Sequence, residues 1–533
     1  MSKAGKKSNS FLFYISLLKK RLLILSKSRI DFLLLISGVT LTLYNLILST
    51  YHIFVGDMYF NTDIARDFLL IEDMLNKSYL PLIGPRAGGI TGTFFGPLWL
   101  YMNAPFFVLG NGNPIFVSIF WYFLVLLSVV ITIWVAYKIF GWEAAIVSGA
   151  IFSFYSTNFV LGFTQSFLSV ILSPIIFYLL FKFWQSQSLS KLLLLIFLNG
   201  LLLQFQPAFG IILLLINTIF IVYLLYKTKK FHYLISYVIL AIPLSTYIVF
   251  ELRHNFLEIR SLINFLFAKH QASASLNIAS VLQNRFGGFM GRLNLLESPI
   301  IWIGLFFVVL NIYIFIKAYF LPKDSKKRLF LLTFYFTYFL FWIVTFLFKG
   351  TIWDFYSLGF LPIAVIAFSS LYLLVNKKVF LILFFIMLIY FVNTNLNYFN
   401  SLRNFSINDS SSWLLNKKVS KYIFENAGTN FGYFVYSPDQ FGYSGKYAMT
   451  YMQRQYPNKK SVLCQKEKET YLIYFPSLGA KDGLYWRINN VKISGNPIGT
   501  YIFGPIKVEK YILSDNQIKM SIDPNLICNL QFR

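Results

Sequence analysis

Between the first two strongly apolar stretches the chain reads Asn61-Thr62-Asp63-Ile64-Ala65-Arg66-Asp67, then Gly84-Pro85-Arg86-Ala87-Gly88-Gly89, then Gly96-Pro97-Leu98-Trp99-Leu100-Tyr101. It is the first dense cluster of carboxylates, arginines and glycines in a chain made otherwise of Phe, Leu, Ile and Tyr. Ionisable groups are costly beside a bilayer, so a cluster placed there is a candidate functional site. The apolar blocks around it decide whether a bilayer is there.

The chain has 533 residues, 57% of them hydrophobic and 13% charged, and a mean hydropathy of +0.62. Soluble domains are about 45–50% apolar and about 25% charged. The apolar excess falls in blocks of roughly 20 residues, enough for a helix to cross a hydrocarbon core about 30 Å thick. The expected fold is an all-α polytopic membrane protein of about eleven spans. They are placed at 31–51, 114–138, 141–160, 166–184, 190–207, 208–226, 232–250, 299–321, 328–348, 352–374 and 378–397. The segment 96–110 is apolar but short and contains Pro97 and Pro105, so it reads as an interfacial or re-entrant helix.

Charge sets the orientation. The formal net charge is +26, and much of the excess sits at the ends of apolar blocks. Lys138, Lys182 with Lys191, Lys227 with Lys229 and Lys230, Lys323 with Lys326, Lys327 and Arg328, and Lys377 with Lys378 form these clusters. Basic residues flanking spans stay in the cytoplasm, and with the spans as drawn all of these fall inside, together with a basic N-terminus over 1–30. Counting 96–110 as a span would invert every later loop. The first apolar stretch lacks a cleavage site and reads as an uncleaved anchor. No nucleic-acid motif accompanies the charge, so nucleic acid is not an expected partner, whereas membrane lipids with anionic headgroups are.

This leaves a transmembrane module over 31–397 with two outer loops, 52–113 and 251–298, and an extracytoplasmic domain over 398–533. In that domain 419–426 reads as a helix, and 431–436, 470–475, 484–488 and 507–512 read as short strands between turn residues. The result is a small α/β domain. Cys464 and Cys528 either pair or stay free, and two cysteines make no metal motif.

The first outer loop is expected to form a helix from Thr62, whose hydroxyl caps the first turn. Ile64, Phe68, Ile71 and Leu75 then share one face, suited to lying on the membrane interface. Asp63, Arg66 and Asp67 share the other side, because spacings of three and four make neighbours. Asp63 stands in the first turn, where the helix dipole attracts a carboxylate. A carboxylate held there beside an arginine can serve as a general base, although spacing alone fits a solvated face with an intrahelical ion pair at least as well.

Glycines over 84–97 can bring backbone N–H groups close to an anion, but no phosphate-loop pattern completes them. The second outer loop carries Arg253, His254, Arg260, Lys269, His270, Arg285 and Arg292. Outer arginines run against the orientation rule, and either bidentate phosphate binding or salt bridges would keep them there. His254 is a candidate general acid or metal ligand, in a chain whose four histidines are too few for a histidine-built metal site. Lys349, Trp353, Asp354, Phe355 and Tyr356 cluster at an outer junction, as an interface belt or a platform for a sugar ring. Gln165, Gln204 and Gln206 within spans are expected to link helices.

The order of these pieces resembles the GT-C glycosyltransferases. It is similar to bacterial relatives of dolichyl-phosphate-mannose–protein mannosyltransferases and of lipid A aminoarabinose transferases. The resemblance is carried by Asp63-Ile64-Ala65-Arg66-Asp67 and by Gly96-Pro97-Leu98-Trp99-Leu100-Tyr101. It covers the first 140 residues, and the later spans by count and topology. It implies a GT-C-like module with interfacial helices in the first outer loop. It also implies an integral enzyme of the cell membrane that moves a sugar from a polyprenyl-phosphate donor to a glycan, lipid or protein acceptor on the extracytoplasmic face, with inversion. The base it implies is a first-loop aspartate, Asp63, with Asp67 as the alternative. Arg66, Arg86, Arg253, His254, Arg260, Arg285, Arg292, Tyr101, Asp354 and Tyr356 are the candidates for binding substrate and lipid phosphate. No cofactor is required when arginines meet the phosphate charge; a divalent metal is possible, but Gln206-Pro207 stands where a histidine before proline would be expected. The rival class is a transporter or flippase of lipid-linked saccharides, which calls for two related halves and broken helices at the midplane. The sequence shows no internal repeat.

Overall fold

The computed structural model describes residues 29–87, 90–267, 278–323, 325–348, 350–476 and 480–530. The basic segment before Arg29, Gly88, Gly89, Lys269, His270 and Lys349 lie outside the described residues.

Among the described residues, seven helices are long and apolar enough to cross a membrane: Arg29–Val55, Pro114–Phe140, Gln165–Ser186, Pro207–Thr228, Ile301–Phe320, Lys326–Leu347 and Lys377–Arg403. An eighth is made by Phe231–Ala241 and Ser245–Arg253, bent by 70° with Pro243 in the break. The chain is a multi-pass membrane protein. The three remaining expected spans fall on shorter apolar helices, Trp142–Ser153, Leu189–Phe205 and Phe360–Leu374. Among the described residues, length and composition alone pick out seven spans, or eight with the bent pair; they do not test the count of eleven, because the three shorter helices, at about 1.5 Å per residue, fall below the length of a full crossing. Leu98–Leu109 is likewise too short to cross.

Buried amides fasten the bundle. The Asn45 amide donates to Ser153 (3.0 Å) and accepts from Asn395 (2.7 Å), joining the first span, Trp142–Ser153 and the last span. Asn217 donates to Asn199 at 3.0 Å. Gln204 donates to the Pro243 carbonyl (2.6 Å), and Gln206 to Ser166 (3.1 Å) and the Phe355 carbonyl (3.0 Å). With lipid outside and apolar side chains inside, such polar pairs supply register that oily packing lacks.

The two ends of the bundle differ in charge. Lys182 faces Lys138, Lys191 and Lys326 at one end. The other end carries both outer loops and the C-terminal domain, which touch one another: Phe94 N–H donates to Glu258 at 2.8 Å, and Trp413 N–H to the Met58 carbonyl at 3.1 Å. The last span runs on to Arg403, so the change of character read at 398 falls inside a helix.

The C-terminal domain holds a mixed sheet in the order β2-β1-β3-β5-β4, with β1 Asn430–Tyr436, β2 Lys460–Leu463, β3 Glu469–Tyr474, β4 Gly499–Phe503 and β5 Ile506–Ile512. β1 runs parallel to β2 and β3, while β5 is antiparallel to β3 and β4. Alternate strand residues feed two cores. Phe431, Tyr433, Tyr471 and Ile473 join the helix side with Trp413–Asn426 and Tyr443–Gln455, and Phe434, Leu472 and Tyr474 join a second layer. The strand expected at 484–488 is helical instead, as Ala480–Tyr485 followed by a π-turn Trp486–Val491. Trp486 and Val491 both bury in the second layer, and a spacing of five suits a π-turn rather than the alternation of a strand. Cys464 and Cys528 form a disulfide with Cα atoms 5.8 Å apart.

One buried carboxylate is part of the joint between the domain and the first loop. Buried Asp57 accepts the Ser412 hydroxyl (2.8 and 2.9 Å) and the N–H groups of Met58 (2.8 Å) and Leu414 (3.0 Å). Ser412 in turn caps Trp413–Asn426 by accepting the Leu415 N–H at 3.1 Å. Replacing Asp57 by Ala leaves three buried donors without a partner and is expected to cost about 3 kcal/mol in denaturant unfolding of the detergent-solubilised chain. Asp57→Asn keeps an acceptor oxygen and should cost clearly less; equal losses would refute this account of the joint.

Candidate active site

The first-loop helix spans Thr62–Asn76. Its cap is Asn61, whose side-chain oxygen accepts the Ile64 N–H at 3.0 Å, rather than Thr62. The Thr62 hydroxyl is engaged elsewhere, donating across to Asp439 of the C-terminal domain. Ile64, Phe68 and Ile71 are buried in protein rather than laid on a membrane surface. Phe68 packs among Phe60, Phe107 and Trp121 and against Tyr447 of the C-terminal helix Tyr443–Gln455, while Ile64 and Ile71 lie with Trp99, Trp121 and Phe163. Leu75, at the far end of that face, is exposed.

The three charged residues come together, but in unlike surroundings. Arg66 Nη1 lies 2.8 Å from Asp63 Oδ1, and Arg66 Nη2 lies 3.1 Å from Asp67 Oδ1. The Asp63 side chain is 63% exposed and that of Asp67 is 8% exposed. Asp67 is therefore no solvated face. Its second oxygen accepts the Trp99 indole N–H at 3.0 Å, which joins the acidic motif to the Gly-Pro-Leu-Trp segment. Burial pushes the Asp67 carboxyl up to about 6, with Arg66 acting in the opposite sense. Asp67 is thus ionised at neutral pH and held by two donors.

Asp63 opens into a cleft of about 370 Å³ between the first loop and the C-terminal domain, lined also by Tyr59, Asn61, Ser410, Asp439 and Phe475. Gly84 and Gly96 do not offer their amides to this cleft. Gly84 N–H donates to Phe95 (2.7 Å) and Gly96 N–H to Gln204 (2.9 Å). Gly96 is required by close approach, since a Cβ there would overlap the Gln204 side chain. Tyr101 donates to the Pro81 carbonyl.

The remaining candidates form two further groups. Where the two outer loops meet, Arg86 is exposed and bonds Thr91 at 3.0 Å, Arg253 and Arg260 are exposed, and His254 stacks on Phe250 with its Nδ1 2.9 Å from the Phe250 carbonyl oxygen. Glu258, which the sequence reading passed over, is at the centre of this meeting. It accepts the Phe94 N–H, and burial, with Glu251 nearby, pushes its carboxyl up to about 8 against that bond. In the third group Arg285 donates to the carbonyls of Phe348 (2.7 Å) and Gly350 (2.8 Å), and Arg292 to that of Asp354 (2.7 Å). These two arginines clamp the backbone of 345–357, with Asp354 exposed and Tyr356 buried. A ring contact of Trp99 with Phe163 (5.8 Å) and one of Phe163 with Phe167 (5.3 Å) lead from Asp67 towards that clamp. Among the described residues no three His, Cys, Asp or Glu side chains come together as a metal-holding group.

The fold is similar to that of ArnT from Cupriavidus metallidurans, in a crystal structure bound to undecaprenyl phosphate. The TM-score is 0.53 over 89% of this chain and 97% of that one, at 11% identity. The apo structure of the same protein gives 0.52 over the same shares, also at 11% identity. The archaeal oligosaccharyltransferase AglB from Archaeoglobus fulgidus, in complex with an inhibitory peptide and a dolichol-phosphate, gives 0.42 over 82% of this chain and 69% of that one, at 12% identity. No protein-family model matches the chain, and no curated protein matches its sequence. The likeness to ArnT is one of fold.

Trp99→Phe removes the donor to Asp67 Oδ2 and is expected to destabilise the protein by about 2 kcal/mol at pH 7.5. Losing a donor penalises only the ionised carboxyl, so the folded-state value rises further above the unfolded one. The penalty is then present above about pH 6 and fades as the pH falls and Asp67 protonates. Thermal unfolding of wild type and variant at pH 5 and 7.5 measures it.

Proposed function

We propose that the protein is an integral membrane glycosyltransferase that takes a sugar from a polyprenyl-phosphate donor. The observation that carries this is the exposed Asp63 carboxylate at a cleft, backed by the Arg66–Asp67–Trp99 cluster, in a fold similar to that of ArnT, whose structure was solved with undecaprenyl phosphate.

In this reading the acceptor enters the cleft and gives its hydroxyl proton to Asp63 as the new bond to the sugar's anomeric carbon forms. The bond from that carbon to the phosphate oxygen breaks on the opposite face, so configuration inverts and polyprenyl phosphate departs. General-base assistance of this kind contributes about 10²–10⁴-fold. Asp67 touches neither substrate. It fixes Arg66, which in turn orients Asp63. The charge on the departing phosphate is met by Arg86, Arg253 and Arg260, whose guanidinium groups are exposed, without a metal. Arg285 and Arg292 shape the 345–357 segment beside the bundle. The N-terminus lies in the cytoplasm and the C-terminal domain outside, as the basic span ends require.

The test is transfer of label from a polyprenyl-phosphate sugar by the solubilised full chain. Asp63→Asn is expected to lower transfer about 100-fold or more with an unchanged unfolding temperature. Near wild-type transfer by that variant would overturn the assignment of the base. Movement of the donor between leaflets of a vesicle, with no sugar transferred, would favour a flippase instead.

A further inference from the structure

The cleft that holds Asp63 has a chemistry unlike the rest of the molecule. The chain carries 47 Lys and Arg against 21 Asp and Glu, yet among the described residues no Lys, Arg or His lines this cleft. Its wall is made of hydroxyls, one amide, two carboxylates and the rings of Tyr59 and Phe475. Asp439 enters from the C-terminal domain. Its carboxylate accepts the Thr62 hydroxyl and the N–H groups of Phe441 (2.9 Å) and Gly442 (3.1 Å). Burial would raise this carboxyl, but those bonds with one from Ser437 hold it below the usual range. Directly behind the wall stand Asp409, bonded to the Ser411 N–H at 2.8 Å, and Asp57, bonded to Ser412.

Arg66 and Lys446 lie nearby, and both are already engaged. Arg66 is shared between Asp63 and Asp67, and buried Lys446 points its ammonium at the Ile527 carbonyl, 2.8 Å away. Counting Asp57, Asp63, Asp67, Asp409 and Asp439 against Arg66 and Lys446 leaves the surroundings negative. A phosphorylated or carboxylated acceptor would meet like charges at short range and, among the described lining residues, no cation. Neutral sugar hydroxyls suit the wall, because each can donate to a carboxylate in a charge-assisted bond and exchange bonds with serines. A sugar's C–H face can rest on the Tyr59 and Phe475 rings.

We infer that the cleft selects an uncharged polyhydroxylated saccharide as acceptor and rejects phosphorylated or acidic ones. This rests on the reading of Asp63 as the base that deprotonates the acceptor. The phosphate-bearing donor then approaches from the arginine-bearing side where the outer loops meet, so the two substrates are sorted by charge.

The test offers the full chain, with labelled polyprenyl-phosphate sugar, a cell-envelope extract separated by anion exchange into neutral saccharide, anionic saccharide and protein pools. Label is expected in the neutral pool, at least about tenfold over the anionic pool at low salt, as expected for a charge brought close to unscreened like charges. Ser410→Arg, which places a cation in the lining, is expected to lower that ratio about tenfold, whereas Ser410→Gln leaves it in place. A ratio is not moved by partial misfolding, which lowers both terms alike. Equal labelling of the two saccharide pools, or label mainly in the anionic or protein pool, overturns the inference while leaving the transferase standing. Donor hydrolysed with no pool labelled also overturns it. A donor that stays intact with every pool overturns the parent reading instead.

Discussion

A buried carboxylate must be given donors or it will not stay ionised, and the architecture around the first loop follows from that need at Asp67. Arg66 supplies one donor from the same helix and Trp99 another from the next. The Trp99 indole reaches Asp67 only because the Gly96 backbone is drawn against Gln204, an approach closed to any residue with a Cβ. Gln204 belongs to the helix Leu189–Phe205 and is tied to Pro243 at the break of the bent pair. One carboxylate thus links the acidic motif, the Gly-Pro-Leu-Trp segment and the bundle. Asp63, only four residues earlier in sequence, shares the same arginine yet lies open to the cleft.

That contrast is made by the C-terminal domain as much as by the loop. Helix Tyr443–Gln455 packs against Thr62–Asn76 and stops short of its first turn. Glu72 near the far end is paired with Arg454 at 2.8 Å, and Thr62 at the near end is bonded to Asp439. The domain therefore grips the helix at both ends and leaves a gap between the grips and the loop 410–412. The gap is the cleft. The small domain has no need of its own catalytic group to matter, because its placement makes the cleft onto which Asp63 opens, while Asp67 is enclosed with Trp99, Trp121 and Phe163.

What could be read beforehand follows the range of the interactions involved. Asp63, Arg66 and Asp67 are neighbours by helical spacing, so their meeting was legible from five consecutive residues. Which of the two aspartates would be buried was not, since that depends on Trp99, Trp121 and Phe163 further along the chain. The same reason hid Asp439 and Glu258. Each sits among ordinary turn or helix residues, and only the fold brings it to position 62 or 94. The long apolar blocks gave the spans, but hydropathy does not see helix breaks, so 141–160 was drawn as one span where the helix stops at Ser153 and restarts at Ser156. Edge strands β2 and β4, partly exposed and short, carried too little apolar pattern to be recognised.

The outer arginines show why position alone does not assign a role. By orientation rules an arginine outside is expensive to explain, which makes Arg253, Arg260, Arg285 and Arg292 of the second outer loop candidates for phosphate. Two have an explanation in the fold: Arg285 and Arg292 saturate carbonyls of an irregular segment beside the bundle, where unmet backbone acceptors would be costly. A guanidinium committed to several carbonyls has few N–H groups left for a ligand, since it carries five in a fixed fork. Arg86, Arg253 and Arg260 lack that commitment and remain exposed where the two outer loops meet. The division places fixed, buried arginines under the scaffold and exposed ones on the rim, with the carboxylate-lined cleft on the side of the C-terminal domain. A transferase whose donor carries a phosphate and whose acceptor carries none would be built with that separation of charge.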